Sequence, residues 1–135
     1  MYDNILIPVS PDEVAQSENA LKCARAMLNE GGTITVITVL EVPPSYIAHL
    51  MPEEQAQEVF AKEEARMTKD LGALGATSYK VVYGHAARAI LDEADAAKSD
   101  CIVIASHRPG ARHFFLGSTA TRVVRRAECS VHVLR

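Results

Sequence analysis

Between the apolar run "CIVIA" (101–105) and a helical stretch beginning near Ser118, the chain places Ser106, His107, Arg108, Gly110, Arg112, His113, Gly117 and Ser118. Such residue types suit anion binding. Arginine brings fixed charge and histidine can add to it. The Ser118 and Thr119 hydroxyls can donate to phosphate oxygens, and Gly117 lets a ligand approach the main chain closely. A helix starting at Gly117-Ser118-Thr119 would add unpaired amides and the positive end of its dipole. The spacing fits a second reading equally well: Ser118 caps the last helix, Gly117 turns the chain and the arginines are ordinary surface residues.

A second junction closes the first apolar run, in "IPVSPDE". Ser10-Pro11-Asp12-Glu13 has the form of a capping box, with serine at the N-cap, proline at the first helical position and glutamate at N3. That structural role is worth about 1 kcal/mol, and any ligand contact by Ser10 would be additional. The five histidines (49, 85, 107, 113, 132) are dispersed and form no HExxH or Cys/His cluster, so no structural metal site is expected. His85 reads as an exposed residue at a helix start. Cys23, Cys101 and Cys129 have unrelated spacings and no CxxC pair, which suits reduced thiols. Cys101 reads as a small core residue. Cys129, in "AECSV", reads as a turn residue with no base beside it in sequence.

The elements that position these residues alternate regularly. "ILIPV" (5–9), "TITVITVL" (33–40), "YKVVY" (79–83), "CIVIA" (101–105) and "VHVL" (131–134) read as strands. Three are nearly continuous in Val, Ile and Leu, as expected where helices cover both faces of a parallel sheet. A first helix is expected from the Ser10 box to Gly31-Gly32, with Val14, Leu21, Ala24 and Leu28 on one face. A second runs from about Pro52 to Leu74 and turns Ala56, Val59, Phe60, Met67 and Leu71 inward. A third follows Gly84 and buries Ala87, Ile90, Leu91 and Ala94. The last starts near Ser118, with Ala120, Val123, Val124 and Ala127 inward and Arg122, Arg125 and Arg126 outward. "EVPPSYIAHL" (41–50) reads as a loop. The pattern predicts one doubly wound α/β domain over residues 1–135, with ligands outside the carboxyl ends of its strands.

With 135 residues, 48% apolar and 23% charged, the composition is that of a soluble globular domain. A formal net charge of −3 argues against nucleic acid or an anionic membrane as the main partner. The start "MYDNILIPVS" lacks a basic n-region, and no run approaches 18 apolar residues, so a cytoplasmic location is expected.

The chain resembles the universal stress protein family over essentially its whole length. The resemblance rests on "ILIPVS", "TVITVLE", "VVYGHAARAILDEADAAKSDCIVIASH" and "LGSTATRVVRRAECSVHVLR". It implies a five-stranded parallel sheet in the order 3-2-1-4-5 with helices on both faces, in a cytoplasmic, usually dimeric stress-response protein. Many members bind ATP; others do not. Nucleotide-binding members carry Gly, two residues, Gly, nine residues, then Gly-Ser or Gly-Thr after the fourth strand. Here Gly117-Ser118 matches the end, while Ala105 and Arg108 occupy the first two glycine positions and eight residues precede Gly117. The family's aspartate after the first strand falls on Ser10. Pro8, Val9 and Val39 match positions lining the adenosine pocket.

The resemblance therefore implies a nucleotide site built from Pro8, Val9, Ser10, Val39, Ala105, Ser106, His107, Arg108, Gly110, Gly117, Ser118 and Thr119. The base would lie near Val39 and Pro8-Val9, with the phosphates at Gly110 and Gly117-Ser118-Thr119. Arg108 would replace glycine-loop amides with a charged donor. The expected ligand is ATP, with Mg²⁺ accompanying it. The alternative is an interaction protein of the same fold that binds no nucleotide. An enzyme is disfavoured, because "VSPDE" lacks the SGGxDS loop of ATP pyrophosphatases and the fourth-strand loop holds no carboxylate for Mg²⁺. A phosphoacceptor receiver is disfavoured too, since no paired acids close the first strand. At most weak ATP hydrolysis is expected. The last strand (130–135) is expected to pair with its two-fold mate, Val131 and Val133 packing across, while a protein partner remains unidentified by sequence.

Overall fold

The computed structural model describes residues 1–41, 52–106 and 116–135. Its elements run β1 (Tyr2–Val9), a 3-10 turn (Pro11–Gln16), α1 (Glu18–Met27), β2 (Leu28–Leu40), α2 (Glu53–Gly72), β3 (Ser78–Tyr83), α3 (Ala86–Ala96), β4 (Cys101–Ala105), α4 (Ser118–Arg126) and β5 (Ser130–Leu134). The strands form one parallel sheet in the order β3-β2-β1-β4-β5, as the resemblance implied.

Side-chain alternation along the strands divides the core in two. Ile5, Ile7, Ile34, Val36, Cys101 and Val103 pack with Leu21 and Ala24 of α1 and Met67 and Leu71 of α2. Leu6, Ile37, Val39, Ile102 and Ile104 pack on the opposite face with Ala87, Ile90 and Ala94 of α3 and Ala120 and Val123 of α4. Helices therefore cover both faces, which is why the strands can be apolar throughout.

Several local expectations are corrected. The Ser10 box does not open an α-helix: Pro11–Gln16 is a 3-10 turn, the Ser10 side chain makes no capping hydrogen bond, and α1 starts only at Glu18. The Ser10 carbonyl instead accepts the Glu13 N–H at 2.9 Å, closing the tighter turn. Nor does the first helix reach Gly31-Gly32. Leu28 is already extended (φ −77°, ψ 133°) and pairs with Tyr2, so the glycines lie within β2. Val59 is 54% exposed and Phe60 half-buried, because the first turns of α2 stand over the strand ends and not over the sheet. Val124 is likewise exposed, one residue and about 100° round the helix from the buried Val123. Leu91 is only half-buried. Val131 and Val133 are half-buried against the face carrying Leu6 and Ile102, so part of each side chain is already used within the chain.

Candidate functional site

The order of the strands reverses between β1 and β4, the place where an open α/β sheet leaves a crevice. After β1 the chain turns toward α1 on one face. After β4 it continues toward α4 on the other. The two chain paths separate, and a cavity of about 950 Å³ lies between them, at the carboxyl ends of β1, β2 and β4.

Its floor and walls contain Pro8, Val9 and Ser10 from β1, Val39 from β2, Ala105 and Ser106 after β4, and Gly117, Ser118 and Thr119 at the start of α4. All sequence-nominated residues within the described segments thus meet in one cavity. His107, Arg108 and Gly110 lie outside the described residues, as do Arg112, His113 and the 42–50 portion of the expected loop.

The α4 end of the crevice is held by main-chain hydrogen bonds. Ser106 is 1% exposed; its N–H donates to the Leu134 carbonyl at 2.7 Å, and its carbonyl accepts the Gly117 N–H at 2.6 Å. Gly117, not Ser118, is the N-cap residue, and its carbonyl accepts the first helical bond from the Thr121 N–H at 2.8 Å. The Ser118, Thr119 and Ala120 amides precede that bond and so have no acceptor within the helix. All three residues line the cavity. The Gly117 amide is already committed to Ser106, so the donors at this end are the amides that follow it.

At the β1 end, Thr38 is fully buried and its hydroxyl donates to the Val9 carbonyl at 2.9 Å, fixing the exit of β1. Ser10 is half-buried and lines the cavity with no capping bond to occupy its hydroxyl.

Sequence reasoning missed much of the wall. Val59 and Phe60 of α2 line the cavity with Ile90, Ile104 and Leu116, making an apolar bed. Phe60 meets Tyr83 edge-on, the ring centroids 6.3 Å apart. The Tyr83 hydroxyl donates to Glu64 at 2.6 Å, and this bond, with some burial, holds the phenol up to about 12. Asp12, Glu13, Glu41 and Glu63 also line the cavity, and among the described lining residues every charged side chain is acidic. Arg66, paired with Glu63 at 2.5 Å, holds that carboxyl below its ordinary range. No single periodicity marks the four acidic residues, since they come from a 3-10 turn, the end of β2 and the middle of α2. Chemically, the crevice offers a flat apolar ring a bed, sugar or amine donors carboxylates, and an anion the amides at α4.

These features first define a class: doubly wound α/β proteins with a ligand crevice at the strand-order switch. Within that class, the universal stress protein family profile matches residues 1–135, and the chain belongs to that family. Universal stress protein G of Salmonella typhimurium is 26% identical over 151 residues, with the whole of both chains covered. The same fold occurs in a universal stress protein solved in complex with cAMP (TM-score 0.62, 19% identity, 99% of this chain and 97% of that one). It occurs again in the Archaeoglobus fulgidus universal stress protein solved in complex with dAMP (TM-score 0.56, 20% identity, 99% and 98%). No helix among the described residues is long and apolar enough to cross a membrane.

Proposed function

We propose that this protein binds an adenine nucleotide in the β1–β4 crevice, with ATP as the expected form, and acts as a cytoplasmic, dimeric stress-response protein. The observation carrying this reading is the convergence of Pro8, Val9, Ser10, Val39, Ala105, Ser106, Gly117, Ser118 and Thr119 on one cavity of about 950 Å³, a size that suits a nucleotide. The cAMP and dAMP complexes of the two structural relatives support an adenine ligand. The base would rest on the apolar side by Val39 and Pro8-Val9, and the phosphates would face the α4 amides.

Energetics make the 107–115 segment part of the reading. Micromolar affinity corresponds to about 8 kcal/mol. A helix terminus supplies about 0.3–2 kcal/mol of that, and the described walls are acidic. Arg108 is the cation assigned to the phosphates. Among the described residues, no group of three or more Asp, Glu, His or Cys side chains is arranged to hold a metal. Mg²⁺ in this reading arrives with the phosphates and keeps most of its ligands from them and from water.

In the same reading the protein binds and does not efficiently catalyse, with at most slow ATP hydrolysis. A steady-state ATPase rate of about 1–10³ per second would overturn that part. The binding test is calorimetry on the native chain with ATP, cAMP and adenosine. Gly117→Val should remove most of the binding heat by filling the cavity mouth. It should leave circular dichroism unchanged, because Gly117 has an extended backbone (φ −58°, ψ 157°) that valine adopts. Arg108→Ala should weaken ATP more than adenosine. If the native protein gives no heat with any of the three at millimolar concentration, the non-nucleotide interaction protein is the correct reading.

A further inference from the structure

Away from the crevice, the fold brings together two residues that are 109 positions apart. Cys23 lies on α1, and His132 lies on β5 in register with Val103. Val103 belongs to the core face that α1 covers, so the His132 side chain rises from the sheet beside α1. The Cys23 Sγ is 3.3 Å from His132 Nε2, within hydrogen-bonding distance for sulfur. In the single chain Cys23 is half-buried and His132 exposed, and the pair stands on the α1 face of the sheet, apart from the outward Val131 and Val133 N–H groups of the proposed dimer, so a small solute can reach it.

We propose that Cys23 and His132 form a thiol–imidazole pair that makes Cys23 the site of reversible oxidation by hydrogen peroxide. A thiol beside a base within hydrogen-bond reach is the arrangement that activates cysteine, because the thiolate is the nucleophile. Nε2, the nitrogen facing the sulfur, takes the thiol proton. The thiolate then attacks one peroxide oxygen: the S–O bond forms, the O–O bond breaks and hydroxide departs. Hydroxide takes the proton back from the imidazolium and leaves as water. Sulfur loses two electrons to become the sulfenic acid, and the peroxide is reduced by the same two. A thiol reductant reverses the change through a mixed disulfide.

The other two cysteines lack this arrangement. Cys101 is buried, and burial pushes its thiol up to about 11. Burial also raises the Cys129 thiol above its ordinary range. Both stay protonated at neutral pH.

The test treats the reduced, full-length protein with hydrogen peroxide in the presence of dimedone and follows the adduct at each cysteine by peptide mass spectrometry. Cys23 should be labelled first. His132→Gln should slow that labelling by about tenfold, toward the rate of an unpaired thiol. Dithiothreitol added in place of dimedone should return the free Cys23 thiol. Labelling that appears first on Cys101 or Cys129, or equally on all three, would overturn the proposal. So would an unchanged Cys23 rate in a His132→Gln protein with native circular dichroism. The comparison of cysteines within the native protein decides the matter even if that variant does not fold.

Discussion

Thr38 shows how a single buried hydroxyl sets the crevice. It is fully buried on β2, and its hydroxyl satisfies the Val9 carbonyl where β1 ends. Thr38→Val keeps the volume and removes the donor, leaving that carbonyl without its side-chain partner. The expected cost is about 1 kcal/mol, read as a lower urea midpoint with an unchanged slope. Nucleotide affinity should fall with it, since Val9 and Ser10 hang from that carbonyl. A variant of native stability would mean that Val9 finds another donor. At the opposite wall, the short Gly117–Ser106 bond fixes where α4 begins.

Among the elements, β2 departs furthest from its sequence pattern. Its register with β1 jumps from Tyr2↔Leu28 to Asn4↔Thr33, so β2 carries extra residues in an irregular stretch. The two glycines make that stretch possible for different reasons. Gly31 has φ +79°, a conformation most residues avoid. At Gly32 a Cβ would meet Leu28 Cδ1 at 2.7 Å and the Asp3 carbonyl oxygen at 2.8 Å. The leucine can turn aside, but the backbone oxygen can move only by disturbing β1. Gly32→Ala should therefore destabilise the fold by about 1–3 kcal/mol, measured by denaturant unfolding. A loss below a few tenths of a kcal/mol would show that the irregular stretch can shift freely.

At the scale of the whole molecule, the sheet ends in β3 on one side and β5 on the other, and among the described residues no further strand pairs with either edge. The Leu134 carbonyl points to β4, where it accepts the Ser106 N–H. Strand alternation then turns Leu134 and His132 toward β4 and presents the N–H groups of Val131 and Val133 at the outer edge. The proposed homodimer rests on those outward groups more than on the valine side chains, which already pack within the chain. Val133→Pro removes one outward donor while sparing the ladder to β4. It should convert a dimer to a folded monomer by light scattering with circular dichroism as control. A variant that remains dimeric would rule out pairing through this edge.

The sequence by itself determined the α/β alternation, the positions of β3, β4 and β5 to within a residue, and Ala87, Ile90 and Ala94 of the core-facing stripe of α3. Unbroken Val/Ile/Leu runs require cover on both faces, whatever the neighbours are. The family's motifs also picked out Pro8, Val9, Val39 and Gly117, which share one cavity. Tertiary structure decided what apolar or polar pattern does not encode. Val59 and Phe60 have the right helical phase for a core, yet their turns of α2 stand over a crevice. The Ser10 box has the right residues, yet the chain closes a 3-10 turn without the side-chain bond. Asp12, Glu13, Glu41 and Glu63 share a cavity only because three chain segments converge there. Cys23 and His132 meet because α1 crosses the face from which β5 projects. Periodicity fixes which side of an element is buried; only packing decides what lies opposite, because the separation of two side chains depends on the path of all the chain between them.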